Sequence, residues 1–438
     1  KLGEPVDMGF LSKFADGNNR FHLRIMAAGH LLAYNNIAGT YHYKTTTAQF
    51  RDHSAWYHFM FVYDTDDSTA ADRVKIYANG VRLTSFVNNT NPGDGEALKI
   101  ASDTSNPLKV LCSNDEDAYL SGYVSDFYYI DGDNKAPTDF GEYDGSSGIW
   151  KPKEYTGGFG NNGFKLEFKQ VGVGTASAST VGADTSGNDH HLTSANIAAT
   201  DITTDTPTNN FCTLNPLSIQ YDSNGGSPSG MVHREGNTQA MNNTSSGWGS
   251  TLGTFLIPTS GKWYWELKNI PGDDHIQFGV MEHGYRATTG APLDSSGLGW
   301  GWYSDDGNTR QNGYGGRVSG YSTWKDENDI IMIAYDANNG KMWLGLDGTW
   351  EDDSGGGGTT GDPAAGSNQT FTVDSVPVVP CLGTANINSG TGPSVNFGNP
   401  PYANSSSQAD DNGYGDFEYD VPAGFYALCS KNLAKYGG

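Results

Sequence analysis

The sequence predicts an all-β fold made of two β-sandwich modules. Short segments with apolar residues at every second position recur along the chain, as in Phe21-His-Leu-Arg-Ile-Met, and this period is that of a half-buried strand. The 438 residues include 59 glycines and 12% aromatic residues, a composition that favours strands joined by tight turns. A chain of this length is enough for about two or three domains, each with its own core.

In the N-terminal part, strand signals follow one another closely. Leu31-Leu-Ala-Tyr is a short apolar run, and Trp56-Tyr-His-Phe-Met-Phe-Val-Tyr63 is a long one. The next run ends at Ala78 and continues as Val81-Arg-Leu-Thr after Asn79-Gly80. Asn-Gly tolerates the positive φ angles of a type I′ turn, so this segment predicts a two-residue β-hairpin.

Two of these motifs resemble those of a known family. Phe50-Arg-Asp-His-Ser-Ala-Trp-Tyr-His58 and Ala71-Asp-Arg-Val-Lys-Ile-Tyr-Ala-Asn-Gly-Val81 are similar to the strand and hairpin of laminin-G-like (concanavalin A-like) jelly rolls. The resemblance covers roughly residues 8–170. The segment Thr-Ala-Ala-Asp-Arg before the hairpin resembles modules of marine bacteriophage proteins.

Residues 137–220 are rich in Pro, Gly, Ser and Thr, and composition alone predicts a linker. However, the segment from Trp150 to Phe168 resembles the closing part of the phage modules. The segment from Ala183 to His191 resembles their connector, which implies that this region is ordered. The predicted organisation is a concanavalin A-like module at 1–170, a connector at 171–215 and a second module at 216–438.

The second module opens with clear strand patterns. In Gly261-Lys-Trp-Tyr-Trp-Glu-Leu-Lys268, Trp263, Trp265 and Leu267 share one face, and we expect the tryptophans to be core residues. Ile276-Gln-Phe-Gly-Val280 is the expected neighbour of this strand. The segments Trp324–Asp336 and Lys341–Trp350 predict a hairpin. Together with Val395-Asn-Phe-Gly398, this order resembles a SPRY domain over residues 248–402.

Charge and cysteine content exclude several classes of function. The formal net charge is −24 with a pI near 4.6, so nucleic acid and anionic membrane surfaces are poor partners. No apolar run approaches the roughly 20 residues of a membrane helix. The four widely spaced cysteines predict buried free thiols and synthesis in a reducing cytoplasm; they are Cys112, Cys212, Cys381 and Cys429.

The concanavalin A-like fold also houses β-glucanases, which need two carboxylates about 5–5.5 Å apart for retention. Their signature places acids at i, i+2 and then i+4 or i+5. Four Glu-x-Asp pairs occur, and in each the third position is not acidic: Glu142/Asp144, Glu327/Asp329, Glu351/Asp353 and Glu418/Asp420. The sequence therefore predicts that the protein is not an enzyme.

Two acidic loops are candidate calcium sites, because Ca²⁺ prefers carboxylate and carbonyl oxygens and the laminin-G resemblance allows a structural calcium. The candidate ligands are Asp64, Asp66 and Asp67 in one loop and Asp115 and Asp117 in the other. Solvated loops are the alternative for a chain this acidic. The adjacent pair His190-His191 in a polar loop is a possible metal-ligand pair, but exposed turn histidines without a role are the expectation; His53 and His58, near Trp56, are expected to be surface residues of the sandwich.

Aromatic and polar residues in the second module are candidates for a sugar-binding surface, because rings stack on sugar faces while amide and guanidinium groups bind hydroxyls. Packing within the module is the alternative for each of them. The candidate ligand-binding residues are Tyr285, Arg286, Trp302, Tyr303, Arg310 and Tyr314.

The resemblances imply a virion-surface protein, a tail-fibre or capsid-fibre component, that recognises a host-surface glycan or protein. It would be made in the host bacterial cytoplasm, with other virion subunits as partners and a symmetric homo-oligomer, such as a trimer, as its assembly. No cofactor is expected apart from calcium. Two alternatives stay open: a purely structural assembly or decoration protein, and a secreted polysaccharide-binding protein or hydrolase.

Overall fold

The computed structural model describes residues 1–113, 118–218, 230–242, 247–270, 275–284, 291–293, 299–311, 318–352, 358–385 and 391–438. In this part of the chain, strands make up 38% and helices 6%, which confirms the all-β prediction. The chain divides into two compact units, Lys1–Ile197 and Ala198–Gly438.

The predicted connector contributes pairings to both units. In the first unit, Leu166 bridges to Asp184 and Gly172 to Thr180. In the second, Phe211 bridges to Cys429 and Leu214 to Gly253. The module boundaries at residues 170 and 215 stay a prediction.

The first unit is built from short antiparallel strands. They are β1 (Met8–Asp16), β2 (Asn19–Ile25), β3 (His30–Ile37), β4 (Thr40–Gln49), β5 (Phe59–Tyr63), β6 (Val74–Ala78), β7 (Val81–Leu83), β8 (Phe86–Asn89), β9 (Leu108–Val110), β10 (Phe127–Tyr129), β11 (Gly141–Tyr143), β12 (Trp150–Pro152) and β13 (Phe164–Leu166). One sheet has the order β8-β4-β3-β2-β1-β9 and another the order β5-β6-β7; β10 pairs with β13 and β11 with β12.

The core of the first unit lies between its two larger sheets. Phe21 and Ile25 from β2 are buried together with Val74 and Ile76 from β6. The hairpin at Asn79-Gly80 is confirmed, with φ angles of 47° and 80° that suit a type I′ turn. The strand predicted from Trp56 begins only at Phe59.

In its described residues, the second unit contains a nine-stranded and a five-stranded sheet. Its strands are β14 (Met231–Arg234), β15 (Gln239–Asn242), β16 (Trp248–Leu252), β17 (Lys262–Lys268), β18 (Ile276–Glu282), β19 (Gly299–Tyr303), β20 (Thr309–Gln311), β21 (Ile330–Asp336), β22 (Lys341–Leu346), β23 (Thr349–Trp350), β24 (Phe371–Thr372), β25 (Val378–Ala385), β26 (Ser394–Asn396) and β27 (Tyr426–Ala427). One sheet follows the order β14-β15-β26-β17-β21-β22-β23, with β24 on β22 and β27 on β17; the other follows β16-β25-β18-β19-β20.

Strand β17 is buried on both faces. Trp263, Trp265 and Leu267 enter one core cluster, whereas Tyr264 enters another, as the alternation predicts. The predicted hairpin is confirmed as β21 and β22, where Asp336 faces Lys341. The prediction that β18 is the neighbour of β17 is wrong, because β18 pairs with β19 and β25 in the other sheet.

Helices are short. They are α1 (Lys99–Ser102), α2 (Ser430–Tyr436) and the 3₁₀ turns Ala70–Asp72, Pro137–Asp139, Ala199–Asp201 and Glu235–Asn237. Within the described ranges, no helix has the length and apolar character needed to cross a membrane. All four cysteines are buried free thiols, as predicted.

Candidate functional site: a groove on the outer face of the first sheet

Side-chain alternation on three neighbouring strands gives the largest sheet of the first unit two different faces. On β2, Phe21, Leu23 and Ile25 point into the core. Their sequence neighbours Arg20 and Arg24 therefore project from the opposite face. The same alternation continues on β3 and β4, so tyrosines and polar residues from three strands meet on that face.

Strand register sets which of these side chains are adjacent. One row across the sheet runs from His22 through Tyr34 to Tyr43. The rows on either side are Arg20–Asn36–Tyr41 and Arg24–Leu32–Thr45–Asn88. Because these rows are paired through the backbone, the side chains stand at fixed spacings across the strands.

An open groove of about 440 Å³ follows this face. We call it the sheet-face groove. Its lining residues are Arg20, His22, Arg24, Met26, Leu32, Tyr34, Tyr41, Tyr43, Thr45 and Asn88. This volume lies within the range of small-molecule sites, about 300–1,000 Å³.

Four of the residues that line the sheet-face groove are aromatic. His22 stacks on Tyr34 with ring centroids 4.6 Å apart and planes 14° apart. Tyr43 continues the series, 6.4 Å from Tyr34 and 5.8 Å from Tyr41. Tyr41 is 55% exposed, so its ring is available to a ligand. Rings of this kind offer flat apolar faces with a polar edge.

The ring of Tyr34 is fixed by polar neighbours. The Arg20 guanidinium lies 5.0 Å from its ring centroid and donates to its hydroxyl at 3.4 Å. The Asn36 amide donates to the same hydroxyl at 3.3 Å. A side chain held on two sides loses little conformational entropy when a ligand binds, which favours affinity.

Charge in the sheet-face groove is basic. Arg24 pairs with Asp7 at 3.5 Å, and Asp7 itself accepts the Ala27 N–H at 2.7 Å. The lining residues include Arg20 and Arg24 and no Asp or Glu. The lining therefore supplies hydrogen-bond donors and ring faces, but not the pair of carboxylates of a glycosidase.

The candidate sugar-binding residues of the second unit lie elsewhere. Trp302 is 0% exposed within the core cluster, and its indole N–H donates to the Gly307 carbonyl at 3.3 Å. Arg310 is also 0% exposed; its guanidinium lies 5.0 Å from the Tyr303 ring. These side chains pack within the unit. Tyr285, Arg286 and Tyr314 lie outside the described residues, and ligand binding at this set stays a prediction.

The first acidic loop is occupied by contacts of its own. The carboxylate of Asp67 accepts the Thr69 N–H at 2.9 Å and the Lys75 ammonium at 3.1 Å, and these two hydrogen bonds lower its pKa. A lysine in this position competes with a cation, so the loop fits Ca²⁺ poorly. Among the described residues, no three His, Cys, Asp or Glu side chains converge as metal ligands.

The remaining calcium candidates give no further support for a calcium site. Asp64 accepts the Asn134 amide at 3.1 Å, while Asp115 and Asp117 lie outside the described residues. Calcium binding at Asp64, Asp66, Asp67, Asp115 and Asp117 stays a prediction.

The prediction that His53 lies at the surface is wrong, because this residue is only 4% exposed. The other histidines considered as metal ligands have structural contacts. The Asp184 N–H donates to Nδ1 of His191 at 2.9 Å, and Nε2 of His190 lies 2.8 Å from the Asn161 carbonyl. Nδ1 of His58 accepts the Trp150 indole N–H at 3.1 Å, and burial lowers the pKa of His58 to about 4. These side chains hold loops together.

Sequence reasoning missed the sheet-face groove. The signal was present as Arg-x-His-x-Arg on β2 and Tyr-x-Tyr on β4, where polar and aromatic residues occupy every second position. The alternation showed that these residues share a face of their own strand. The pairing of the three strands, which is non-local, was needed to bring them together.

A family model matches part of the first unit, and some solved structures are similar to the chain at low identity. No curated protein matches the sequence at a significant level. Similar solved structures include the SPRY domain of human HERC1, with 16% identity and a TM-score of 0.29, covering 42% of this chain and 94% of that domain. A human SPRY domain matches with 12% identity and a TM-score of 0.27, covering 40% and 96%. Residues 5–132, which include the sheet-face groove, match the model of a laminin-G family described as the concanavalin A-like lectin/glucanases superfamily.

Proposed function

We propose that this chain is a non-enzymatic recognition protein of a virion surface, in a tail fibre or capsid fibre, and that it binds a host-surface glycan through the sheet-face groove. The observation that carries the glycan part is the row of tyrosine rings Tyr34, Tyr43 and Tyr41, of which the first two are partly exposed and the third is 55% exposed; His22, stacked on Tyr34, is itself buried and supports that ring. Rings in a row suit an extended ligand with several flat apolar faces, as a glycan has.

The polar lining residues support a sugar ligand further. Arg20, Arg24 and Asn88 supply donors at the edge of the rings, and sugar hydroxyls accept such hydrogen bonds. A few placed polar groups beside an aromatic surface are typical of small-molecule sites. The absence of Asp and Glu from the lining residues supports binding without hydrolysis, since hydrolysis needs an acid and a nucleophile or base.

The virion setting rests on the sequence resemblance to phage modules. A homo-oligomer, such as a trimer, suits this role, because a weak single site gains strength when several copies engage one cell surface.

A purely structural role in virion assembly is the second candidate. It is favoured by Val81 and Val87, which are 57% and 62% exposed on strands at the edges of two sheets, where another subunit can pair.

A glycan array probed with the full chain and two tyrosine variants tests the glycan proposal. Tyr41→Ala removes a ring that lines the groove, and stacking on one ring contributes roughly 1 kcal/mol, so we expect about fivefold weaker binding. Tyr143→Ala is the matched control, because Tyr143 is 53% exposed in the same unit and outside the groove lining. Glycan binding that both variants retain in full would contradict the proposal.

A further inference from the structure

The sheet-face groove differs in charge from the rest of the protein. The chain carries 50 acidic and 26 basic residues, yet the groove lining contains Arg20 and Arg24 and no carboxylate. At physiological ionic strength the Debye length is about 8 Å, so a ligand in the groove senses these guanidinium groups more than distant acids. A basic groove on an acidic protein selects an anionic ligand.

Arg20 and Arg24 differ in whether a carboxylate balances the charge of the guanidinium group. Arg24 has Asp7 at 3.5 Å, whereas Arg20 has no carboxylate partner among the described residues and donates to the Tyr34 hydroxyl. A guanidinium without a counter-charge, half-buried beside a ring, is a ready partner for a carboxylate or sulfate. Arg20 is therefore the stronger anion contact, while Asp7 competes with a ligand for Arg24.

Tyr34 adds a second donor at the same place. Its hydroxyl oxygen accepts hydrogen bonds from both Arg20 and Asn36. A phenolic hydroxyl can donate as well as accept, and no acceptor for its proton occurs among the described contacts. This proton and the Arg20 guanidinium can bind one anionic group together.

We propose that the sheet-face groove binds an anionic saccharide, with a carboxylate or sulfate held by Arg20 and the Tyr34 hydroxyl while sugar rings lie along Tyr43 and Tyr41. This proposal rests on the proposed glycan-binding function and narrows it to one class of ligand. A single-stranded nucleic acid also combines negative charge with flat rings. The net charge of −24 makes so densely charged a polymer the weaker candidate.

Matched ligands separate charge from sugar shape. Calorimetric titration of the full chain would compare oligogalacturonate with its methyl ester, which has the same backbone without the charge. A second pair, dextran sulfate and dextran oligosaccharides, distinguishes sulfate from carboxylate. We expect at least tenfold tighter binding of one charged member than of its neutral counterpart, because charge-assisted hydrogen bonds are about twice as strong as neutral ones. Equal binding within both pairs would overturn the proposal.

Variants assign the contacts. Arg20→Gln should weaken binding of the charged ligand about tenfold, and Tyr34→Phe, which keeps the ring, should weaken it by a smaller factor. Asp7→Asn keeps an oxygen for the Ala27 N–H and removes the charge beside Arg24, so binding should become severalfold tighter. Arg82→Gln, a control on β7 outside the groove lining, should change nothing.

The outcomes separate this proposal from the glycan proposal. Tyr41-dependent binding of neutral glycans alone overturns the anionic inference and leaves the glycan function standing. Lack of Tyr41-dependent binding to any glycan overturns both. Tighter binding of a single-stranded oligonucleotide than of either polysaccharide overturns the choice of a saccharide. Binding that Arg20→Gln does not weaken overturns the assignment of the contact.

Discussion

The two units use aromatic residues in opposite ways. In the second unit, six tryptophans are fully buried: Trp263, Trp265, Trp300, Trp302, Trp324 and Trp343. In the first unit, tyrosines on the outer sheet face stay partly exposed and line a groove. An aromatic-rich strand is therefore no guide to a binding site by itself. What distinguishes the two units is whether both faces of the strand are covered.

Each unit buries charged side chains, and one in each unit is held by several hydrogen bonds. The first unit buries Lys44, whose ammonium donates to the Ala71 and Val74 carbonyls at 2.9 and 2.7 Å. The second unit buries Glu266, whose carboxylate accepts from Tyr264, Asn396 and the N–H groups of Glu418 and Tyr419 at 2.7–3.2 Å. Glu266 thus fastens the C-terminal segment to β17, a structural role for a polar group. In the first unit, polar groups of the outer sheet face instead line the sheet-face groove.

Loss of the Glu266 carboxylate should have the largest effect on stability. Glu266→Ala leaves a cavity and four described donors without their acceptor, so we expect the second unit to lose about 4 kcal/mol or more. Glu327→Ala is the control, because Glu327 is exposed, and it should change stability by less than about 0.5 kcal/mol. Urea unfolding followed by tryptophan fluorescence measures both. A Glu266→Ala variant as stable as the control would show that this contact network contributes little.

Ionisation of Glu266 should make the second unit less stable as the pH rises. Burial raises the pKa of Glu266 from 4.5 to about 7, against the lowering effect of its hydrogen bonds. Between these two values the folded state binds more protons than the unfolded state, so the unfolding free energy falls with rising pH, by about 3 kcal/mol.

The test is urea unfolding at pH 5 and pH 7 for the wild type and Glu266→Gln, because the other acidic residues are common to both. We expect the wild type to lose stability relative to the variant. A wild type that gains stability relative to Glu266→Gln would show that the four hydrogen bonds outweigh the cost of burial.

Lys44 should give the first unit the opposite trend in an alkaline range. Burial is the main cause that lowers the pKa of Lys44 from 10.5 to about 8. Between these values the unfolded state binds more protons, so stability rises with pH, by about 2 kcal/mol after allowance for solvent screening. Lys44→Met should remove this rise. Unfolding at pH 8 and pH 10 measures it, and an unchanged pH dependence in the variant would refute the assignment to Lys44.

Local chemistry made part of the fold predictable. The hairpin at Asn79-Gly80 followed from the backbone freedom that a type I′ turn needs, and the two faces of β17 followed from its alternation. The strands that pair with β18 could not be predicted from local sequence patterns. Alternation tells which face of a strand is buried but not which strand lies beside it, since pairing depends on contacts far apart in sequence.

The site was less predictable than the fold. Trp302 and Arg310 were candidate ligand contacts because rings stack on sugar faces and polar groups bind sugar hydroxyls, whereas in the structure both side chains are fully buried and the guanidinium packs on Tyr303. In contrast, Arg20, Tyr34 and Tyr41 are separated by up to 21 positions and meet only through the register of β2, β3 and β4. No local pattern carries that information.

The most direct test of where recognition takes place is photoaffinity labelling of the full chain with a diazirine-bearing oligosaccharide, followed by peptide mapping. The probe should be a glycan that binds in the array. If the sheet-face groove binds the glycan, label should appear on peptides covering β2 to β4, residues 19–49, and excess unlabelled glycan should remove it. Label confined to the second unit, around residues 299–318, would contradict binding at the groove and return the site to Trp302, Tyr303 and Arg310.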